Sequence, residues 1–179
     1  MDYRKLTPNE ILFATKIFGG SILYIDVKVY HEKYAFFQPD HSGMTPNGNI
    51  YIDGEIIKDY GNTVVWPEQK AFFIHEMVHV WQKHNGVLNP VLSAIANSIR
   101  HGFNYNEAYK YTLDAKKDLL DYRMEQQAQI IEDYVRVLYL GIQRRTEYLQ
   151  NKESEAEIDK LYQSVLSKFL SKPSYPKEN

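Results

Sequence analysis

Phe72-Phe73-Ile74-His75-Glu76-Met77-Val78-His79-Val80-Trp81-Gln82 is the most informative stretch of this 179-residue chain. It lies within residues 68–83, which read as helix and are ended by Asn85-Gly86. Side chains four residues apart stack on one helix face, so His75 and His79 can chelate a single ion. Glu76 lies beside the first histidine, where its carboxylate can reach a water on that ion without binding the ion itself. Ile74, Met77, Val78 and Trp81 fall largely on other faces and would anchor the helix in a core. A surface His pair flanking an ion-paired Glu is the competing reading, and these apolar flanks argue against it.

Two imidazoles do not complete a site. A catalytic zinc takes three protein ligands and keeps one position open for water. A third His six residues after His79, with Gly three residues after it, would close one known ligand pattern. Those positions hold Asn85 and Gln82, so that pattern is excluded. The alternative is a glutamate from a later helix. Glu125, in Asp121-Tyr122-Arg123-Met124-Glu125-Gln126-Gln127-Ala128, is the best placed. Small Ala128 lies on nearly the same face one turn on and lets two helices approach closely. Glu132, about two turns further, competes for the role. The remaining histidines, His31, His41, His84 and His101, fall in loops or at helix ends.

Upstream, Thr7-Pro8-Asn9-Glu10 opens a capped helix that Gly19-Gly20 stops. Residues 22–30 are rich in β-branched and aromatic side chains and read as a strand. A second short run, 34–37, leads into a turn-rich loop at 38–48. Asn49-Ile50-Tyr51-Ile52-Asp53 follows as another short strand, and Thr63-Val64-Val65 carries a moderate strand signal. Downstream, residues 91–99 read as a second apolar helix and 117–149 as the longest one. Residues 155–170 form a final amphipathic helix. The expected class is α+β. A small mixed sheet of about three to four short strands occupies the N-terminal third, and a helical bundle carrying the metal site follows. We expect one domain over 1–179, with 171–179 a flexible tail.

Composition narrows the function classes. A formal charge of −2 without any block of like charge gives no general attraction to nucleic acid. The absence of cysteine removes disulfides, thiolate catalysis and Cys-ligated zinc. No stretch approaches the roughly 18 to 20 apolar residues needed to span a bilayer. The N-terminal residues show no apolar signal-peptide core. The expectation is a protein that is cytoplasmic as synthesised, with delivery outside the cell left to a dedicated secretion system.

The HExxH run with a downstream Glu resembles the gluzincin class of metallopeptidases in its minimal single-domain form. Four stretches resemble, more closely, a bacterial family of small zinc metallopeptidases labelled Vgr-related or Rhs-associated and linked to type VI secretion. They are Phe18-Gly19-x-Ser21-Ile22, Met44-Thr45-Pro46-Asn47-Gly48, the 73–82 run, and the segment from Asp121 to Tyr134. Larger thermolysin-like enzymes carry an Asp four residues after the Glu ligand. Here that position is Gln129, which leaves Asp133 as the weaker candidate to support a ligand from behind.

These residues together imply one catalytic Zn2+, with Glu76 as general base in hydrolysis of a peptide or amide bond. Tyr105, Tyr109, Tyr111 and His101 are the candidates to stabilise the oxyanion. Asn49, Ile50 and Tyr51 are the candidate edge strand for an extended peptide or peptide-like substrate. The resemblance adds a secretion-system component or an immunity protein as partner. The alternative function is a non-catalytic, zinc-containing adaptor of a secretion apparatus.

Overall fold

The computed structural model describes residues 2–55, 57–87 and 105–178. Helix α1, Pro8–Phe18, begins as its sequence dictates. Thr7 Oγ1 accepts the Glu10 amide at 3.1 Å, and the Glu10 carboxylate accepts the Thr7 amide at 2.8 Å. Glu10 is fully buried. Its charge is met by two 2.8 Å bonds from the Arg4 guanidinium and a 2.9 Å bond from the Tyr60 amide. That cluster ties strand β1, Tyr3–Lys5, to the start of α1.

Four short strands form one mixed sheet among the described residues: β1, β2 (Lys28–Tyr30), β3 (Gly43–Met44) and β4 (Ile50–Ile52), in the order β1-β2-β4-β3. β1 and β2 are antiparallel, β2 and β4 parallel, and β3 and β4 antiparallel. Val29 pairs with Ile50, and Gly43 with Ile52. Val27, Val29, Ile50 and Ile52 are buried and put one face of the sheet in the core.

Helix α2, Pro67–His84, is buried almost all round from residue 73 to 82. Trp81 packs edge-on against Phe169, and Tyr60 stacks on Phe73. α2 packs most extensively against helix α4, Met124–Leu138, where Ala128 is fully buried, so the expected small contact residue lies inside. The short α3, Tyr105–Tyr109, lies between them in sequence; α5, Glu155–Val165, α6, Ser167–Ser171, and a 3-10 turn, Tyr175–Glu178, follow. The architecture is the expected α+β, with the sheet N-terminal and the helices beyond. Among the described residues no helix is long and apolar enough to cross a membrane.

Several elements differ from expectation. The strand expected over 22–30 is confined to Lys28–Tyr30, because Tyr24–Asp26 coil into a 3-10 turn that leaves Leu23 and Ile25 exposed. Residues 34–37 and 63–65 form turns, closed by Gln38 accepting the Tyr34 amide and by Asn62 accepting the Val64 and Val65 amides. The helix expected over 117–149 is only Met124–Leu138. Reciprocal caps between Asp118 and Asp121 isolate a 3-10 turn before it. Gly141, at φ 66°, reverses the chain after it. The final helix is broken at Leu166 into α5 and α6. Within the segment expected to fray, Pro173 accepts the Trp81 indole at 2.7 Å and Tyr175 is buried. The helix expected at 91–99 lies outside the described residues.

Candidate metal centre

His75 and His79 stand on one face of α2 and point at the first turn of α4. Their Nε2 atoms lie 3.4 and 3.3 Å from the same oxygen, Oε2 of Glu125. One ligand atom from each of the three buried residues lies within 4.8 Å of the other two. These separations are long for good N–H···O bonds, whose usual span is about 2.7–3.2 Å. They match the edges of a tetrahedron built on metal–ligand bonds of about 2.0–2.1 Å, which gives about 3.3–3.4 Å between ligands.

The outer nitrogens are already engaged. His75 Nδ1 lies 3.1 Å from Oε2 of Glu132, and His79 Nδ1 lies 2.8 Å from Oε1 of Gln82. In the neutral rings that a metal requires, a proton on each Nδ1 would satisfy these acceptors and leave both Nε2 lone pairs directed inward. Gln82 is held in turn, since its amide donates to Met124 O and Gln127 Oε1, each at 3.0 Å. Arg136 Nη1 lies 3.4 Å from Glu132 Oε1.

Charge points the same way. Burial alone would push the His75 imidazole down, yet Glu125 and Glu132 outweigh it and lift it to about 10. His79 is likewise raised against its burial, chiefly by Glu125. Burial would raise the Glu125 carboxyl, but His79 and His75 hold it far below its ordinary range. The carboxylates that favour protons on these imidazoles would equally favour a divalent cation, whose binding would displace those protons. The donor set of two imidazoles and a carboxylate suits zinc.

Glu76 is buried beside this set, and burial pushes its carboxyl up against the pull of His79 and His75. Thr45 Oγ1 donates to its Oε2 at 2.6 Å. A Cβ on Gly43 would lie 2.4 Å from its Oε1, so β3 passes against the carboxylate at a distance only glycine permits.

The other candidates separate. Glu132, a competing third ligand in the sequence, lies behind His75 instead. Asp133 touches neither histidine and accepts from Tyr111 Oη at 2.7 Å, Thr146 N at 2.7 Å and Thr146 Oγ1 at 2.8 Å. Tyr111 is buried in that network, also bonded to Tyr162. Tyr109 reaches the site, its ring centroid 5.6 Å from that of His75. His101 lies outside the described residues, as does the side chain of Tyr105. Asn49 receives the Lys28 amide, and Ile50 and Tyr51 belong to a strand paired on both sides. Among the described residues the sheet edge beside Glu76 is therefore Gly43–Met44. Sequence reasoning missed Gln82 and Thr45; the only signal for Gln82 was its place one turn after His79.

No family model matches the chain. It is 38% identical over 133 residues to the type VI secretion system spike protein VgrG2b of Pseudomonas aeruginosa. The match covers 73% of this chain and 13% of that protein, so the chain spans only a small part of this relative. The solved effector domain of Pseudomonas aeruginosa VgrG2b is similar with a TM-score of 0.64 at 30% identity. That likeness covers 94% of this chain and 82% of the domain.

Proposed function

The chain belongs to the family of the VgrG2b effector domain, and from that premise we propose that it is a zinc-dependent hydrolase of peptide or amide bonds carried by type VI secretion. The observation that carries the reading is the approach of two Nε2 atoms to one Glu125 oxygen with both Nδ1 atoms already engaged. His75, His79 and Glu125 would hold the ion. Zinc bound there supplies Lewis acidity that brings the pKa of a water towards about 7.

The chain's own groups do the rest. Glu76 takes the proton of the attacking water as the new C–O bond forms. It returns that proton to the amine as the C–N bond breaks. Tyr109, whose ring lies beside that of His75, would be the donor to the developing oxyanion. The outer edge of β3, unpaired among the described residues, would offer main-chain groups to an extended substrate. Carriage on a secretion spike, with an immunity protein in the producing cell, accounts for how a chain of this kind would act on another cell.

The experiment is zinc analysis of protein purified without chelator, together with hydrolysis assays. Wild type is expected to hold one zinc and His79→Ala none; equal zinc in both would remove the site. Glu76→Gln is expected to keep zinc and lose hydrolysis. If Glu76→Gln retains full biological function, the chain is a zinc-containing adaptor and not an enzyme.

A further inference from the structure

The loop Met44-Thr45-Pro46-Asn47-Gly48 stood out in the sequence without a role. In the fold it runs along α2. Thr45 meets Glu76, and a Cβ on Gly48 would lie 3.1 Å from Cγ of Lys83, two turns further along the helix. We infer that Thr45 is the positioning residue for the general base, its hydroxyl fixing one oxygen of the Glu76 carboxylate, while the missing side chain at Gly43 leaves room for the other. This rests on the reading of Glu76 given above and adds the residues that aim it.

A glutamate on a helix has three rotatable side-chain bonds, and proton transfer needs its oxygen placed to within a fraction of an ångström. Helix α2 sets only where that side chain begins. The bond from Thr45 is 2.6 Å long, and both partners are buried, Thr45 at 3% and Glu76 at 4% exposure. A hydroxyl bonded to a charged group in such surroundings holds it firmly. On the other side, the ideal Cβ position at Gly43 is 2.4 Å from Oε1 and 2.7 Å from Cζ of Phe72. Any larger residue would push the carboxylate or the ring aside.

The test needs no knowledge of the natural substrate. Acetohydroxamate chelates zinc and hands its hydroxyl proton to a neighbouring carboxylate, so its affinity reads the placement of Glu76. Zinc content and acetohydroxamate affinity are measured for wild type, Thr45→Val, Thr45→Ser, Gly43→Ala and Glu76→Gln. Thr45→Val is nearly isosteric and is expected to keep its zinc and bind about tenfold or more weakly, the loss expected for a hydrogen bond to a charged group. Gly43→Ala is expected to weaken binding similarly, again with zinc retained. Thr45→Ser keeps the hydroxyl and should stay within about threefold of wild type. Wild-type affinity in Thr45→Val, alongside weakened binding in Glu76→Gln, would overturn the inference and leave the proposed function standing. A wild type without zinc, or a Glu76→Gln that binds like wild type, would overturn the proposed function and this inference with it.

Discussion

Oε2 of Glu132 lies 3.1 Å from Nδ1 of His75, on the side of the ring away from Glu125. The contact holds the imidazole by its outer nitrogen and, in the neutral ring that a metal requires, favours the tautomer with Nε2 bare. We therefore predict that Glu132→Ala lowers zinc affinity by about 10- to 100-fold, the usual cost of losing such a partner. Glu132→Gln keeps an acceptor oxygen and should lose less. Competition with a chromophoric chelator reads both, and unchanged affinity in Glu132→Ala would refute the assignment.

Zinc removal should destabilise the fold. Glu76, Glu125 and Glu132 crowd the facing sides of α2 and α4, and without a cation their charges are met by the two imidazoles and, at Glu132 alone, by Arg136. Zinc present at about 1,000 times its dissociation constant contributes about 4 kcal/mol. For a domain of this size that is a rise of about 10 °C in Tm. Chelator is expected to abolish the rise in wild type and to leave His79→Ala unmoved. A chelator shift of the same size in His79→Ala would place the stabilising ion elsewhere.

The sequence carried helix α2 and its pair of histidines because both ends were punctuated, by Pro67 and by Asn85-Gly86, and because four-residue spacing has one geometric meaning. Glu125 and Glu132 were harder to rank. Seven residues are nearly two turns of about 3.6 residues each, so both carboxylates fall on one stripe. Only the packing of α4 on α2 decides which reaches the inner nitrogens. The sheet edge was not legible at all. Gly43-Met44 has no strand pattern of its own, and the order β1-β2-β4-β3 depends on the long-range pairing of Val29 with Ile50. Long helical periodicity also hid the breaks around Tyr122 and Gly141, which local caps impose.

Asp133 should matter for stability and not for metal. Its two oxygens accept three bonds, from Tyr111 and from the amide and hydroxyl of Thr146. These bonds hold the chain where Tyr111 bridges to Leu149. Asp133→Ala strands buried donors and is expected to cost about 3 kcal/mol or more. Zinc affinity should change far less than in Glu132→Ala. Urea unfolding in the presence of chelator, paired with zinc titration, checks both; an affinity loss matching that of Glu132→Ala would sink this division of roles.

His84 should make stability fall in mild acid. Its Nδ1 accepts the Leu23 amide at 3.1 Å, a bond only the neutral ring can accept. Burial, with Lys177 and Lys83, pushes its pKa below the ordinary 6.5 despite the opposing pull of Asp26. Its place in the last turn of α2 favours the cation through the helix dipole, by about 0.3–1 kcal/mol at exposed sites. The burial, the two lysines and the lost bond outweigh that. Because the folded state binds this proton less readily than the unfolded chain, the contribution is fully present above pH 6.5. It is lost as pH falls through the lowered folded value. Urea midpoints of chelated wild type and His84→Gln, at pH values on either side of 6.5, isolate the effect from that of His75 and His79. The advantage of wild type should shrink as pH drops, and a constant gap between the two proteins would show that His84 does not titrate in this way.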